Sequence, residues 1–221
     1  MKNELVVFSN VRFSYAGSAG PALDGVSFSV SRGEICALVG PNGCGKSTSF
    51  RLLVGLDYPS EGEIWFDGEP IGRHTMSDPR FAKQLRQRVG LVFQDPDVQL
   101  FCPTVRDEVA FGPRQMGLSD AEVTRRTDDC LRLFDLLGLA DRAPWRLSGG
   151  EKRRCALACV ASMGPDLLCL DEPTNGLDES SYDGLVSFLR SFAAADKTVL
   201  VATHDDAFVE ALGARRIPLG P

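Results

Sequence analysis

The sequence predicts an α/β fold with a mixed-sheet core, an antiparallel β edge from the N-terminal strands, and a helical subdomain. Three observations carry that expectation. Short apolar runs such as Ile35–Val39, Val89–Phe93, Leu167–Leu170 and Thr198–Thr203 read as buried parallel strands. A glycine-rich turn, Gly40-Pro41-Asn42-Gly43-Cys44-Gly45-Lys46-Ser47-Thr48, joins the first of these runs to a helical stretch. Between residues 94 and 165 the strand texture gives way to helical periodicity, and the sheet then resumes. A single domain over residues 1–221 follows, with a core of about 1–93 and 166–221 and a helical subdomain of about 94–165.

The whole chain sets bounds. Its 221 residues, 43% of them hydrophobic, suffice for one large core. No apolar run approaches the ~20 residues of a membrane span. Met1–Leu5 has neither the apolar segment nor the cleavage site of a secretory leader. A net charge of −6 argues against nucleic acid as a main partner. The seven cysteines include no C-x-x-C pair and several lie in apolar runs, which points to reduced thiols in a cytosolic protein. Cys155 and Cys159 share a helix face and read as small core residues.

Taken in order, residues 4–15 form one or two antiparallel strands. Tyr15 stands at their end, before the small-residue loop Gly17–Gly20. It is either a half-buried strand aromatic or a ring stacked on a nucleotide base. Val26–Val30 alternates as a strand. The turn from Gly40 fits G-x-x-x-x-G-K-S, a phosphate-binding loop, with strand before and helix (Ser49–Leu56) after it. Its glycines let successive N–H groups point at an anion, and the helix adds the positive end of its dipole. Lys46 can reach the β- and γ-phosphates, and the Ser47 hydroxyl can ligate Mg²⁺. Cys44, beside helix N-terminal N–H groups and Lys46, is expected to be the most reactive cysteine.

Glu63–Asp67 is a short strand. His74 reads as exposed, and Lys83, Arg86 and Arg88 as a solvated helix face. Asp95–Phe101 is a proline-broken loop, followed by a short helix, Thr104–Phe111, that Gly112-Pro113 should stop. Ser119-Asp120-Ala121-Glu122 reads as a capping box opening a long helix with an apolar stripe through Val123, Thr127, Cys130/Leu131, Phe134 and Leu137. Leu147-Ser148-Gly149-Gly150-Glu151 precedes a further helix, Lys152–Met163, and offers a second anion site at a helix N-terminus. One nucleotide does not need two such sites; they make sense together if two chains face each other. The strand from Leu167 ends in Asp171-Glu172. Adjacent carboxylates at the C-terminal end of a buried strand are costly unless used. Asp171 can hold Mg²⁺ through its water shell, and Glu172 can take a proton from an attacking water. Glu179–Ala195 reads as a helix and residues 214–219 as a weak final strand. His204, at the end of the Thr198–Thr203 strand, is either a chemically idle neighbour of a helix N-cap or a sensor of the γ-phosphate.

Together these residues resemble the nucleotide-binding subunit of an ATP-binding-cassette (ABC) transporter, from about residue 5 to residue 206. The most specific element is LSGGE at 147–151, followed by Lys152-Arg153-Arg154. The resemblance implies an ABC ATPase with a RecA-like core that binds ATP and Mg²⁺. Gly40–Thr48 (Gly40, Pro41, Asn42, Gly43, Cys44, Gly45, Lys46, Ser47 and Thr48) would be its Walker A loop. Tyr15 would be its adenine-stacking aromatic, and Gln94 the glutamine that reaches the Mg²⁺ and the attacking water. Leu167–Glu172 would be Walker B with the catalytic glutamate, Asp178 the D-loop aspartate and His204 the switch histidine. Ser148, Gly149, Gly150 and Glu151 would close on the nucleotide of a second subunit, a copy or a homologue.

Val92–Phe101, with Glu108–Pro113 behind it, resembles the energy-coupling-factor branch, which powers uptake of cobalt, nickel or vitamins. That implies a transmembrane coupling subunit and a substrate-binding membrane protein as partners, at the cytoplasmic face of the cell membrane. Glu179 stands where the family commonly has proline. The C-terminal region by which some relatives dimerise has no counterpart here, which implies weak self-association without membrane partners. The rival reading is a non-transport ABC ATPase acting on nucleic acid or the ribosome. Those carry coiled-coil insertions or paired cassettes with basic linkers, and neither feature is present. A module that only holds ATP would lack Glu172 or His204, and both are here.

Overall fold

The computed structural model describes residues 4–18 and 20–220. Met1–Asn3, where a leader would begin, and Ala19 of the small-residue loop lie outside the described residues, as does Pro221. The elements run β1 (Glu4–Phe13), β2 (Leu23–Ser31), β3 (Ile35–Val39), α1 (Lys46–Leu53), β4 (Glu61–Phe66), β5 (Glu69–Pro70), α2 (Arg73–Met76) and α3 (Pro79–Arg88). After these come β6 (Val89–Val92), α4 (Val105–Met116), α5 (Asp120–Leu133), α6 (Gly149–Ala161), β7 (Leu167–Asp171), α7 (Glu179–Ala194), β8 (Thr198–Thr203), α8 (Asp206–Leu212) and β9 (Arg215–Pro218).

The strands form two sheets. The N-terminal strands make an antiparallel sheet of their own, in the order β2-β1-β4-β5. The apolar runs make a parallel sheet in the order β6-β7-β8-β3-β9. Alternation along each parallel strand feeds two cores. Cys36, Leu38, Leu167, Cys169, Leu200 and Ala202 face the antiparallel sheet, α1 and α3. Ala37, Leu168, Leu170, Val199 and Val201 face α4–α8. Both faces are covered, which is why these strands read as continuous apolar runs. Gly90 lets α6 approach β6 closely: a Cβ there would run into Val160 and Pro165.

Three local expectations are corrected. Gly112-Pro113 does not stop α4, which continues to Met116 and ends at Gly117 with φ +79°. Proline removes the N–H that would bond the Val109 carbonyl, but the Ser162 hydroxyl donates to that carbonyl at 2.8 Å. Gly112 leaves room for Met163 at the same crossing. The stripe of α5 ends at Phe134, since Leu137 sits on a 3₁₀ turn and is 48% exposed. Ser119 caps α5 by accepting the Glu122 N–H, but the Glu122 carboxylate turns to Arg125 and Arg126. The complete capping box is at α6, between Ser148 and Glu151.

Arg88 is likewise not a free surface cation. It lies over the Phe66 ring and donates to Asp67 and to Asp166, the latter at 2.7 Å. Arg32 also pairs with Asp67, and Lys197 reaches Asp166 at 2.9 Å. This chain of charges ties the antiparallel sheet to the N-terminal ends of β6, β7 and β8. The Arg32 and then the Arg88 hydrogen bonds hold the Asp67 carboxyl below its ordinary value. A depressed carboxyl contributes stability above its unfolded-state pKa and loses it as pH falls through the folded value. Asp67→Asn is therefore expected to lower stability by about 1 kcal/mol at pH 7, the partial exposure of the pairs discounting a larger figure. Urea unfolding at pH 7 and at successively lower pH checks this; the difference from wild type should shrink as pH falls through the folded value.

Candidate nucleotide-binding and hydrolysis site

Sheet register builds the site. Val39 pairs with Thr203 and Asp171 with Ala202, so β3, β7 and β8 end nearly level. The residues just beyond those ends, Gly40, Glu172 and His204, are thereby brought to one edge of the parallel sheet, where α/β folds bind ligands.

The loop after β3 curls onto α1, which begins at Lys46, three residues before the expected Ser49. Gly45 has φ +98°, and a Cβ there would collide with Leu23 and the Ala22 carbonyl. No side chain caps α1 and no acid stands in its first turn. Its N-terminal N–H groups are therefore left for an anion. Lys46 is 6% exposed; its Nζ donates to the carbonyls of Gly40 at 2.9 Å and Pro41 at 3.3 Å.

Glu172 is equally buried, and its carboxylate is held from two sides. Oε1 lies 3.6 Å from Lys46 Nζ, and Oε2 lies 3.0 Å from His204 Nδ1. With a carboxylate as partner, Nδ1 is the donor. The Glu172 backbone is left-handed, φ +44°, a strain of about 1–3 kcal/mol that clusters at functional sites. Its N–H bonds the Ala202 carbonyl at 2.8 Å, and Arg153 donates to its carbonyl at 3.5 Å.

One cleft of about 530 Å³ is lined by Tyr15, Asn42, Gly43, Gly45, Lys46, Ser47, Thr48, Gln94, Glu172 and His204. Ten of the expected residues thus meet around one space. Tyr15 is 40% exposed; its ring stands edge-on to Phe13, and its hydroxyl is 3.2 Å from Thr48 Oγ1. The ring is thus fixed at the rim with a face still available. Gly40, Pro41 and Cys44 form the rest of the loop without lining the cleft.

Asp171 lies behind Ser47. Burial raises its carboxyl above the ordinary value, with the Ser47 hydroxyl bond acting the other way. Its Oδ1 is buried with no hydrogen-bond partner. Among the described residues no group of three or more His, Cys, Asp or Glu could hold a metal. A hydroxyl, one orphaned carboxylate oxygen and a nearby amide suit instead a hard cation that keeps much of its water. The residues present therefore fit Mg²⁺.

Ser148, Gly149, Gly150, Glu151 and Asp178 lie outside this cleft. Ser148 Oγ accepts the Glu151 N–H at 3.3 Å, and the Glu151 carboxylate accepts the Ser148 N–H at 2.6 Å. Gly149 and Gly150 form the first turn of α6. Asp178 caps α7, accepting the Ser181 N–H at 2.8 Å. Asn175 and Ala22 also line the cleft, and sequence reasoning missed both. Asn175 was legible only as part of a turn; Ala22 joins through its position against Gly45, a contact between distant segments.

Cys44 is half-buried, packed under the loop against Gly220. Burial, the largest cause in each case, pushes the Cys36 thiol up to about 12 and those of Cys102 and Cys130 to about 11. A maleimide is therefore expected to label Cys44 ahead of these three in nucleotide-free protein, with Mg-ATP protecting it. Peptide mass spectrometry reads the outcome; labelling at Cys102 or Cys130 with Cys44 untouched would refute it.

Residues 23–175 match the sequence model described as ABC transporter. The chain belongs to the ABC transporter family. This ABC ATPase is 46% identical to the nickel import ATP-binding protein LarO of Lactiplantibacillus plantarum, over 96% of this chain and 88% of that protein. It is 43% identical to the energy-coupling factor transporter ATP-binding protein EcfA of Methanothermobacter thermautotrophicus, over 91% of this chain and 63% of that one. Among solved structures, the ATP-binding cassette MJ0796, dimeric and bound to ADP and Pi in a post-hydrolysis state, superposes with a TM-score of 0.86 at 30% identity, covering 97% of this chain and 94% of that one. The protein is an ATP-binding, ATP-hydrolysing subunit related to the nickel-import and energy-coupling-factor ATPases. Among the described residues no helix is long and apolar enough to cross a membrane.

Proposed function

We propose that this ABC ATPase works as one half of a head-to-tail pair, with a copy or a homologue, each ATP held between the phosphate loop of one chain and Ser148–Glu151 of the other. The observation that carries the catalytic reading is the Glu172 carboxylate, buried between Lys46 and His204 at the edge of the phosphate-loop cleft. Glu172 takes the proton of the water that attacks the γ-phosphate in line, and His204 holds that carboxylate and reads the phosphate. Lys46 leaves the Gly40 and Pro41 carbonyls for the β- and γ-phosphates. Tyr15 stacks on the base, and Asp178 sets the turn that meets the partner chain. Ser47, Asp171 and Gln94 would hold Mg²⁺, which supplies charge neutralisation on the phosphates when bound.

The work of closure passes to membrane subunits through the loop Gln94–Phe101. Val98 and Phe101 are 69% and 67% exposed there, and Phe101 stands edge-on to Phe111, also exposed. Adjacent exposed apolar side chains on a loop suit docking of another chain. With relatives named for nickel import and for an energy-coupling factor, we read the complex as an importer of the energy-coupling-factor type at the cytoplasmic face of the membrane. Its cargo would be nickel, cobalt or a vitamin. The expected result is co-purification, from native membranes in detergent, of a transmembrane coupling protein and a substrate-binding membrane protein, and ATP-dependent uptake by the reconstituted complex. Recovery with ribosomes or nucleic acid instead would overturn it.

A further inference from the structure

A second cavity, of about 540 Å³, lies between the C-terminal end of α5, α6 and α7, and shares no lining residue with the nucleotide cleft. Val92 and Leu170, near the ends of β6 and β7, form part of its wall. Its volume is in the range of small-molecule sites, about 300–1,000 Å³. Leu157, Leu185, Phe188 and Phe192 make its walls apolar.

Two features distinguish it from a packing defect. Gly184 stands inside α7, where glycine costs helix stability relative to alanine. Gly184 is exposed at the rim of the cavity, and a Cβ there would meet nothing within 4 Å, so glycine is not required by a clash and leaves the rim wide. The other feature is charge. Arg153 and Arg154 both line the cavity, and Asp135 is the one carboxylate among its lining residues. The Arg154 Nε–H is buried with no acceptor, and its Nη1 reaches only Ser181 Oγ, at 3.5 Å. Burial also works against the Arg153 charge. A buried donor without an acceptor is costly and calls for one.

We infer that this cavity is a ligand site for an amphipathic organic anion, a carboxylate carrying an apolar chain. The carboxylate would accept bidentately from the Arg154 guanidinium, which matches its planar fork, with Arg153 adding charge. The chain would lie along Leu157, Phe188 and Phe192. Binding as such does not depend on the roles proposed for Glu172 or Ser148, and the test is made without nucleotide so that its outcome is separate from theirs.

The probe is decanoate, titrated calorimetrically into the purified full chain below the probe's micelle concentration. The expected result is saturable one-site binding that Mg-ATP does not displace. Arg154→Met should weaken it about tenfold or more, because a charged bidentate contact is lost. Gly184→Leu, checked for native circular dichroism, should weaken it by narrowing the rim. Decan-1-ol, with the same chain and no charge, should bind at least about tenfold more weakly. Should Gly184→Leu fail to fold, Arg154→Lys decides: it keeps the charge, loses the fork and should still weaken binding. No saturable binding, equal binding of decanol, competition by Mg-ATP, or Arg154 variants that bind like wild type would each overturn the inference.

Discussion

Glu172→Gln is expected to bind ATP at least as well as wild type and to hydrolyse it about 10²–10⁴-fold more slowly, the usual contribution of a positioned general base. The amide keeps the shape of the side chain and can still accept from His204. It cannot take a proton from water. Affinity should hold or rise for an electrostatic reason. In the wild-type chain Lys46, 6% exposed, faces the Glu172 carboxylate at 3.6 Å and must turn from it to the phosphates. Neutralising position 172 removes that competitor. Turnover measured with the membrane partners present, alongside nucleotide titration, gives both quantities. A turnover rate near wild type would remove Glu172 as the base.

Ser148→Arg is expected to abolish hydrolysis, by about 10²-fold or more, the scale seen when preorganised donors to a reacting phosphate or acyl group are lost. It should nevertheless leave ATP affinity of the isolated chain unchanged. The reason is positional: Ser148 is not among the residues that line its own chain's nucleotide cleft. The residue also caps α6, bonding the Glu151 N–H, so any substitution that removes the oxygen costs about 1 kcal/mol of stability. Ser148→Ala loses the hydroxyl, as cap and as donor, without placing a bulky cation at the helix N-terminus. If arginine and alanine lower turnover alike, loss of the hydroxyl accounts for the effect; urea unfolding of the alanine variant gives the share due to the cap. A large loss of affinity in the isolated arginine variant would refute the arrangement in which each chain closes its partner's nucleotide.

Much of this was legible in the residues because the physics is local. A phosphate loop is a contiguous stretch whose glycines and helix start are written in order, and Gly40–Thr48 declared itself. The parallel strands were legible because both faces of the sheet are covered, so Ile35–Val39 and Thr198–Thr203 appear as unbroken apolar runs. Helix ends were less legible where a distant residue decides them. Pro113 should end α4, and does not, because the Ser162 hydroxyl, 49 residues further along, takes the carbonyl that proline leaves free. Arg88 looked like a solvated cation because its carboxylates, Asp67 and Asp166, come from other segments of the chain.

The sequence by itself determined the chemistry: a phosphate loop, paired acids at a strand end, a histidine beyond another strand, and the family those motifs resemble. Tertiary structure alone decided how they meet. Register across β3, β7 and β8 sets Gly40, Glu172 and His204 at one edge. Burial of Lys46 and Glu172 then turns them to one another, to the loop carbonyls and, for Glu172, to His204 at the exposed rim. The same is true of the second cavity. Gly184 carries no motif, and Arg154, which follows LSGGE, carries nothing in that motif that points to a cavity. Their meaning comes from α6 and α7 crossing with space between them, and packing between helices is a property of pairs of segments that a single segment does not carry.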